Sequence, residues 1–187
     1  MKKNQISNLI MVGLIAVIMI AGIASAWFLM GNETVPQLGS QYTEPLLPDD
    51  DGDCTCTVTI VCHAILANVN ELSQSKLPYV PADGIILKQV TVSITPGETV
   101  FDALKRVCDR GNIQLEYSWT PVYDSYYVEG INHLYEFDCG PESGWMYQVN
   151  GVFPSYGCSS YELRGGEEIV WCYTCEGLGA DVGAPQE

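Results

Sequence analysis

The sequence predicts an α+β fold in which one helix packs on a mixed sheet of four to five strands. Two strand-like runs precede a single helical pattern, and three further strand-like runs follow it. This order matches the β-grasp arrangement, in which the first and last strands lie side by side in the middle of the sheet. The even count of eight cysteines adds cross-links, so we expect a disulfide-stapled domain over residues 54–176.

The first two strands are predicted ahead of the helix. Residues 56–62 are rich in β-branched side chains, which favour a pleated and half-buried strand. A second strand is expected over residues 89–95, where the turn-forming residues Pro96 and Gly97 end it. Both strands therefore lie within the first third of the folded domain.

One amphipathic helix is predicted from a cap at Thr99 to about Arg110. Thr99 and Asp102 resemble a capping box, with Asp in place of the usual Glu or Gln. Apolar residues then recur with the spacing of one buried helix face: Val100, Ala103, Leu104, Val107 and Cys108. Cys108 is thus expected to point inward, and Gly111 is expected to end the helix in the left-handed conformation.

Three strands are predicted after the helix. They cover residues 114–119, Gly144–Val149 and Glu168–Thr174. Asn150 and Gly151 follow the second of these strands and signal a hairpin, because both residue types tolerate the positive φ angles of a type I′ turn.

Residues 1–30 are predicted to be a signal peptide or a membrane anchor. The uncharged stretch 9–30 is long enough to cross the roughly 30 Å hydrocarbon core of a bilayer. Ala24 and Ala26 form an A-x-A cleavage site, so cleavage and retention as an anchor both stay open. Lys2 and Lys3 favour a cytoplasmic N-terminus, which places the remainder at the extracellular face of the membrane or in the secreted fraction.

The two flanks of the domain are polar. Residues 31–53 are expected to form an acidic, proline-containing linker, and residues 177–187 a flexible tail. The whole chain carries a formal net charge of -15, which repels phosphate backbones and disfavours a nucleic-acid partner. Contact with a membrane is expected only through the N-terminal segment.

All the cysteines follow the N-terminal segment, and in an oxidising compartment their even number predicts disulfides. The eight are Cys54, Cys56, Cys62, Cys108, Cys139, Cys158, Cys172 and Cys175. Cys139 and Cys158 flank Gly144–Val149 and are expected to pair. Two alternatives stay open: a zinc site built from Cys54, Cys56, Cys62, His63, Cys172 and Cys175, and a thioredoxin-like W-C-x-x-C motif at residues 171–175.

Four blocks of the sequence arrive in one order: residues 96–105, 127–131, 144–151 and 161–169. Together they resemble the transcobalamin-like C-terminal domain, over about residues 56–175. Residues 137–140, 156–159 and 173–175 are similar to segments of the bacterial cell-surface members of that family. The resemblance implies a β-grasp domain.

In transcobalamin and intrinsic factor the similar domain caps one face of a corrinoid, while a separate helical barrel holds most of the ligand. No such barrel is expected here, and His63 and His133 match no cobalt-ligand position. The resemblance implies that the ligand-binding residues are aromatic and lie on or near the capping hairpin: Trp145, Tyr147, Tyr127, Phe153 and Tyr156. Trp171, in the middle of a strand, is expected to belong to the core instead.

These observations predict an exported, non-enzymatic ligand-binding module. The candidate ligand, by resemblance, is a cobalamin-type corrinoid or another flat amphipathic molecule. The alternative is a structural or adhesive cell-surface domain that contacts a surface protein and takes no small ligand. The sequence contains no nucleophile, base and acid in a known catalytic order, so we do not expect an enzyme.

Overall fold

The computed structural model describes residues 54–186 of the chain. The signal peptide or anchor over residues 1–30 and the linker over residues 31–53 fall outside the described residues, so both stay predictions. Within the part of the chain that is described, no helix is long and apolar enough to cross a membrane.

The described residues form seven strands, two α-helices and two 3₁₀ helices. In chain order they are β1 (Cys54–Val61), α1 (His63–Ala67), a 3₁₀ helix (Gln74–Tyr79), β2 (Ile85–Ile94), α2 (Val100–Gly111), β3 (Leu115–Thr120), β4 (Ser125–Ile131), β5 (Leu134–Tyr135), β6 (Gly144–Val149), β7 (Glu168–Thr174) and a second 3₁₀ helix (Gly177–Val182). The predicted mixture of one main helix and several strands is confirmed.

The central sheet has the strand order β2-β1-β7-β6. The first and last strands are parallel neighbours in its middle, with Ile60 opposite Trp171, and the two outer pairs are antiparallel. This is the adjacency that the order of elements predicted. Alternate residues of β1 and β7 face the core, and Trp171 is among them, as its position in the middle of the strand predicts.

Helix α2 begins at the predicted cap. The Thr99 hydroxyl accepts the Asp102 N–H at 3.3 Å, and the Asp102 carboxylate accepts the Thr99 N–H at 2.9 Å. The predicted apolar face, Cys108 included, is buried in the same core as β1 and β2. The end of the helix is one residue later than predicted: Asn112, with φ of 49°, adopts the left-handed conformation, and Gly111 is still helical.

The fold differs from the prediction in having two sheets among the described residues. The strand predicted over residues 114–119 is β3, but it belongs to a separate sheet with the order β3-β4-β5. Strand β4 contains Gly130, a residue that weakens a strand prediction. The structure requires glycine there because a Cβ would come within 2.7 Å of the Tyr135 ring on β5.

Strands β6 and β7 have the predicted bounds, and the predicted hairpin turn follows β6. Asn150 and Gly151 both have positive φ, and Val149 pairs with Val152 across them. Beyond this pair the chain leaves the sheet, so the partner of β6 is β7 and not the segment that follows the turn.

The end of the chain is more structured than the predicted flexible tail. Its 3₁₀ helix is held to the end of β7 by Asp181, whose carboxylate accepts the Thr174 hydroxyl at 2.5 Å and the Cys175 N–H at 2.9 Å. A carboxylate at that position satisfies donors that the end of the strand would otherwise leave free.

The structure contains no S–S bond among the eight cysteines, all of which lie in the described residues, and six of the eight are buried. The prediction that they form disulfides therefore stays a prediction.

Candidate ligand-binding surface

Trp145 and Tyr147 share one face of β6, and that face points into the core. Their side chains are only 8 % and 9 % exposed. The Trp145 indole N–H donates to the Leu134 carbonyl at 2.8 Å, and the Tyr147 hydroxyl donates to the Tyr156 carbonyl at 2.7 Å. Both polar groups are satisfied inside the protein, which is how buried Trp and Tyr normally pack.

The second sheet explains why the Trp145 ring is covered. Leu134, which accepts the Trp145 N–H, belongs to β5, and Tyr173 on β7 donates its hydroxyl to the Tyr135 carbonyl at 2.7 Å. Residues two apart on a strand share a face, but the pattern does not say what lies over it. The covering sheet was not predicted, and so neither was the burial of Trp145.

The side chains of the other three predicted site residues are not enclosed with this pair, although the Tyr156 carbonyl accepts the Tyr147 hydroxyl. Tyr127 is exposed on β4, and its hydroxyl donates to Glu136 at 2.7 Å. Burial of the hydroxyl and this hydrogen bond both raise the pKa of Tyr127. Tyr156 is exposed and stacks on Tyr161, with 5.7 Å between ring centroids, and Phe153 is half-buried. The five residues therefore do not form one continuous surface.

A different set of rings forms an exposed surface on the second sheet. We call Tyr117, Trp119 and Tyr126 the aromatic stripe. Trp119 lies directly opposite Tyr126 in the β3–β4 pairing, and Tyr117 is two residues from Trp119, so the three share one face. Trp119 is 48 % exposed and Tyr117 37 % exposed.

The three rings of the aromatic stripe pack against one another. Tyr126 is central: Tyr117 and Trp119 meet it edge to face, with centroids 5.2 and 5.1 Å away. Beneath it the buried Phe101 of α2 stacks at 4.5 Å. These separations are those of favourable aromatic pairs. The stripe is thus preformed, and Phe101 ties it to the core.

The backbone of Tyr126 is fixed from the other side by a serine pair. Its N–H donates to the Ser159 hydroxyl at 2.9 Å, and Ser125 and Ser159 hydroxyls are 2.9 Å apart. Gly157 permits this close approach, because a Cβ there would come within 2.0 Å of the Ser125 hydroxyl oxygen. Strand β4 is therefore anchored at the point where the stripe crosses it.

Two further features border the stripe. The β3–β4 turn displays the exposed side chains of Val122 and Tyr123. On α2, the Lys105 ammonium lies 2.8 Å from the Asp109 carboxylate. The surface combines flat apolar rings with polar groups at their edges.

The positions of the side chains bear on the two alternatives that the cysteines left open, a zinc site and a redox-active dithiol. Within residues 54–186, no three His, Cys, Asp or Glu side chains are grouped so as to hold a metal ion. The zinc alternative therefore lacks a converging set of ligands. The W-C-x-x-C alternative also lacks its dithiol geometry, because Cys172 contacts the Met146 carbonyl while Cys175 contacts Cys139.

The stripe was not predicted as a site, although the sequence contains a signal for it. Tyr117 and Trp119 alternate on a predicted strand, and Tyr126 follows after a turn that contains Pro121. Their meeting depends on strand β4 and on its register with β3, neither of which has a local signature.

Comparison with known proteins gives one family match. Residues 97–175 match the sequence model of a domain of unknown function, DUF4430. The match runs from the start of α2 to the end of β7 and includes the whole aromatic stripe. No curated protein matches the chain.

Among solved structures, the chain is similar to a protein from Ruminococcus gnavus that carries a provisional name as a metal-binding protein. The two chains are 10% identical with a TM-score of 0.39, and the alignment covers 65% of this chain and 97% of the other.

Proposed function

We propose that this chain is an exported, non-enzymatic binding module, and that the aromatic stripe is its ligand-binding surface. The observation that carries the proposal is the half-exposed Trp119, which lies beside Tyr117 and Tyr126 on a preformed ring cluster. Export rests on the apolar N-terminal segment, and the absence of a catalytic role rests on the sequence, which offers no catalytic constellation.

The ligand class follows from the chemistry of the stripe. Tyrosine and tryptophan present flat apolar area together with a hydroxyl or N–H, which suits a flat ligand with a polar rim. A corrinoid has this character, and the resemblance to the transcobalamin-like domain makes it the candidate. The stripe replaces Trp145 and Tyr147 as the surface that meets it, because those two rings are enclosed.

The test is a titration of the purified full-length chain with cobalamin and with cobinamide, followed by absorbance and calorimetry. Trp119→Ala is expected to weaken binding by roughly 1 to 3 kcal/mol, as loss of an aromatic anchor does. Phe137→Ala is the matched control, since Phe137 is also exposed but lies outside the stripe. If neither corrinoid gives a heat of binding or a change in absorbance, the assignment of a corrinoid ligand is wrong.

A second candidate function is adhesion to a protein at the cell surface. Strand β3 lies at an edge of its sheet, and the adjoining turn exposes Val122 and Tyr123. An edge strand with neighbouring apolar side chains is a common site for pairing with another chain. In this case Trp119→Ala and Tyr123→Ala both weaken adhesion, while neither corrinoid binds.

A further inference from the structure

We infer that Cys139 and Cys175 form a disulfide, which ties the loop between β5 and β6 to the end of β7. Their thiols are already in side-chain contact. Both sulfur atoms also meet Asn68: Cys139 Sγ lies 3.5 Å from its carbonyl, and the Cys175 thiol contacts its side chain. The two cysteines thus share one small site beside the end of α1.

The backbones that carry the two thiols are fixed close together by other bonds. The Cys139 N–H donates to the Ser143 hydroxyl at 3.0 Å, and that hydroxyl lies 3.0 Å from the Tyr173 hydroxyl on β7. A Cβ placed on Gly140 would be 3.8 Å from the Cys175 carbonyl oxygen. The two backbone segments that an S–S bond would join therefore already lie side by side.

The geometry separates this pair from the others that the sequence allows. Cys158, the partner predicted for Cys139, lies 3.4 Å from the Tyr126 carbonyl under the second sheet. Its own carbonyl accepts the Phe101 N–H at 3.1 Å, at the start of α2. The prediction that Cys139 pairs with Cys158 assumed that the segment after the Asn150–Gly151 turn returns along β6, whereas the partner of β6 is β7.

The chemistry is a two-electron oxidation. The thiols of Cys139 and Cys175 each lose a proton, one S–S bond forms, and two electrons pass to an external disulfide such as oxidised glutathione, whose own S–S bond breaks to give two thiols. Burial raises the pKa of both thiols, and for Cys175 the neighbouring Cys139 raises it further. Little of either thiol is therefore ionised at neutral pH, which slows its attack on an external disulfide.

The test is a peptide map of the full-length chain after equilibration in a glutathione redox buffer and alkylation of free thiols. Cleavage after Glu142 separates Cys139 from Cys158, and cleavage after Tyr173 separates Cys172 from Cys175. A protease specific for Glu combined with chymotrypsin therefore resolves the pairing. We expect one cross-linked product that contains Cys139 and Cys175, and either Cys139 joined to another cysteine or both residues alkylated overturns the inference.

Two matched variants give a second readout. Cys139→Ser is expected to leave Cys175 open to alkylation and to lower the melting temperature by about 10 °C, because the ring over residues 139–175 is no longer closed. Cys158→Ser is the control and is expected to leave the Cys139–Cys175 product intact. Protection of Cys175 in Cys139→Ser contradicts the inference, and if that variant does not fold, the wild-type map decides alone.

Discussion

Two tryptophans of this domain occupy opposite surroundings. Trp145 is buried, and its indole N–H donates to the Leu134 carbonyl, whereas Trp119 is about half exposed and packs at a steep angle against Tyr126. The Trp145 ring is part of the core packing. The second leaves much of its face to solvent, where a ligand can reach it.

At this scale we predict that the same substitution destabilises the fold much more at Trp145 than at Trp119. Trp145→Ala is expected to cost about 3 to 5 kcal/mol of unfolding free energy, because it opens a cavity and leaves the Leu134 carbonyl without its donor. Trp119→Ala is expected to cost less than about 1 kcal/mol. Urea denaturation of both variants checks this, and equal losses would show that the stripe is structural.

The residues predicted or proposed to bind a ligand show how far the sequence alone can predict a site. The sequence indicates that aromatic side chains line a surface, and that Trp145 and Tyr147 share a face. It does not indicate which face is covered, because that depends on a sheet assembled from β3, β4 and β5. Tyr117 and Trp119 were on a predicted strand, yet their partner Tyr126 was not.

At the scale of elements, local signals predicted the structure where they were strong. Strands β6 and β7 have the predicted bounds, and α2 begins at its capping box. Strand β5 has two residues, which are too few to show the alternation of a strand. In β4, Gly130 interrupts the alternation of side chains that would predict a strand. The division into two sheets follows from pairing between distant segments, which no short window of sequence contains.

The junction between β2 and α2 is held by Glu98. Its carboxylate accepts hydrogen bonds from Arg106 and from the Thr95 N–H, which is 2.8 Å away. Burial of Glu98 alone raises its pKa, but the bonds from Arg106 and Thr95 outweigh burial, and the net pKa is lowered from 4.5. Because the pKa of Glu98 is lower in the folded state than in the unfolded state, its ionised carboxylate stabilises the fold at pH values above the unfolded-state pKa. This contribution is lost as the pH falls through the folded-state pKa.

We therefore predict that Glu98→Gln lowers the unfolding free energy at pH 7 and reduces the loss of stability on acidification below about pH 4.5. Urea denaturation between pH 7 and pH 3 measures both effects. Asp109→Asn is the matched control, because Asp109 also pairs with a cation on α2 but is solvent-exposed. The prediction fails if Glu98→Gln and wild type lose the same free energy over this pH range.

At the scale of the whole molecule, 23 acidic residues face only eight basic ones. Such an excess destabilises a compact state through repulsion among its like charges. The described ion pairs, Lys76–Asp138, Lys105–Asp109 and Arg106–Glu98, offset little of it. Salt shortens the distance over which the remaining acids repel one another.

We predict that raising NaCl from about 10 mM to about 150 mM increases the melting temperature, because the screening length falls from roughly 30 Å to roughly 8 Å. Thermal melts of the oxidised chain measure the change, with sorbitol at equal osmolarity as the uncharged control. A melting temperature that falls with salt means that attractive ion pairs outweigh the repulsion.

The parallel pairing of β1 with β7 has a consequence for the order of events during synthesis. The two central strands are separated by most of the domain, so their contact closes a long loop and has a high contact order. Until β7 is present, β1 has only β2 as a neighbour in the central sheet. The central sheet is therefore completed only after β7 has been made, and until then β1 has an unpaired edge to which another chain could bind.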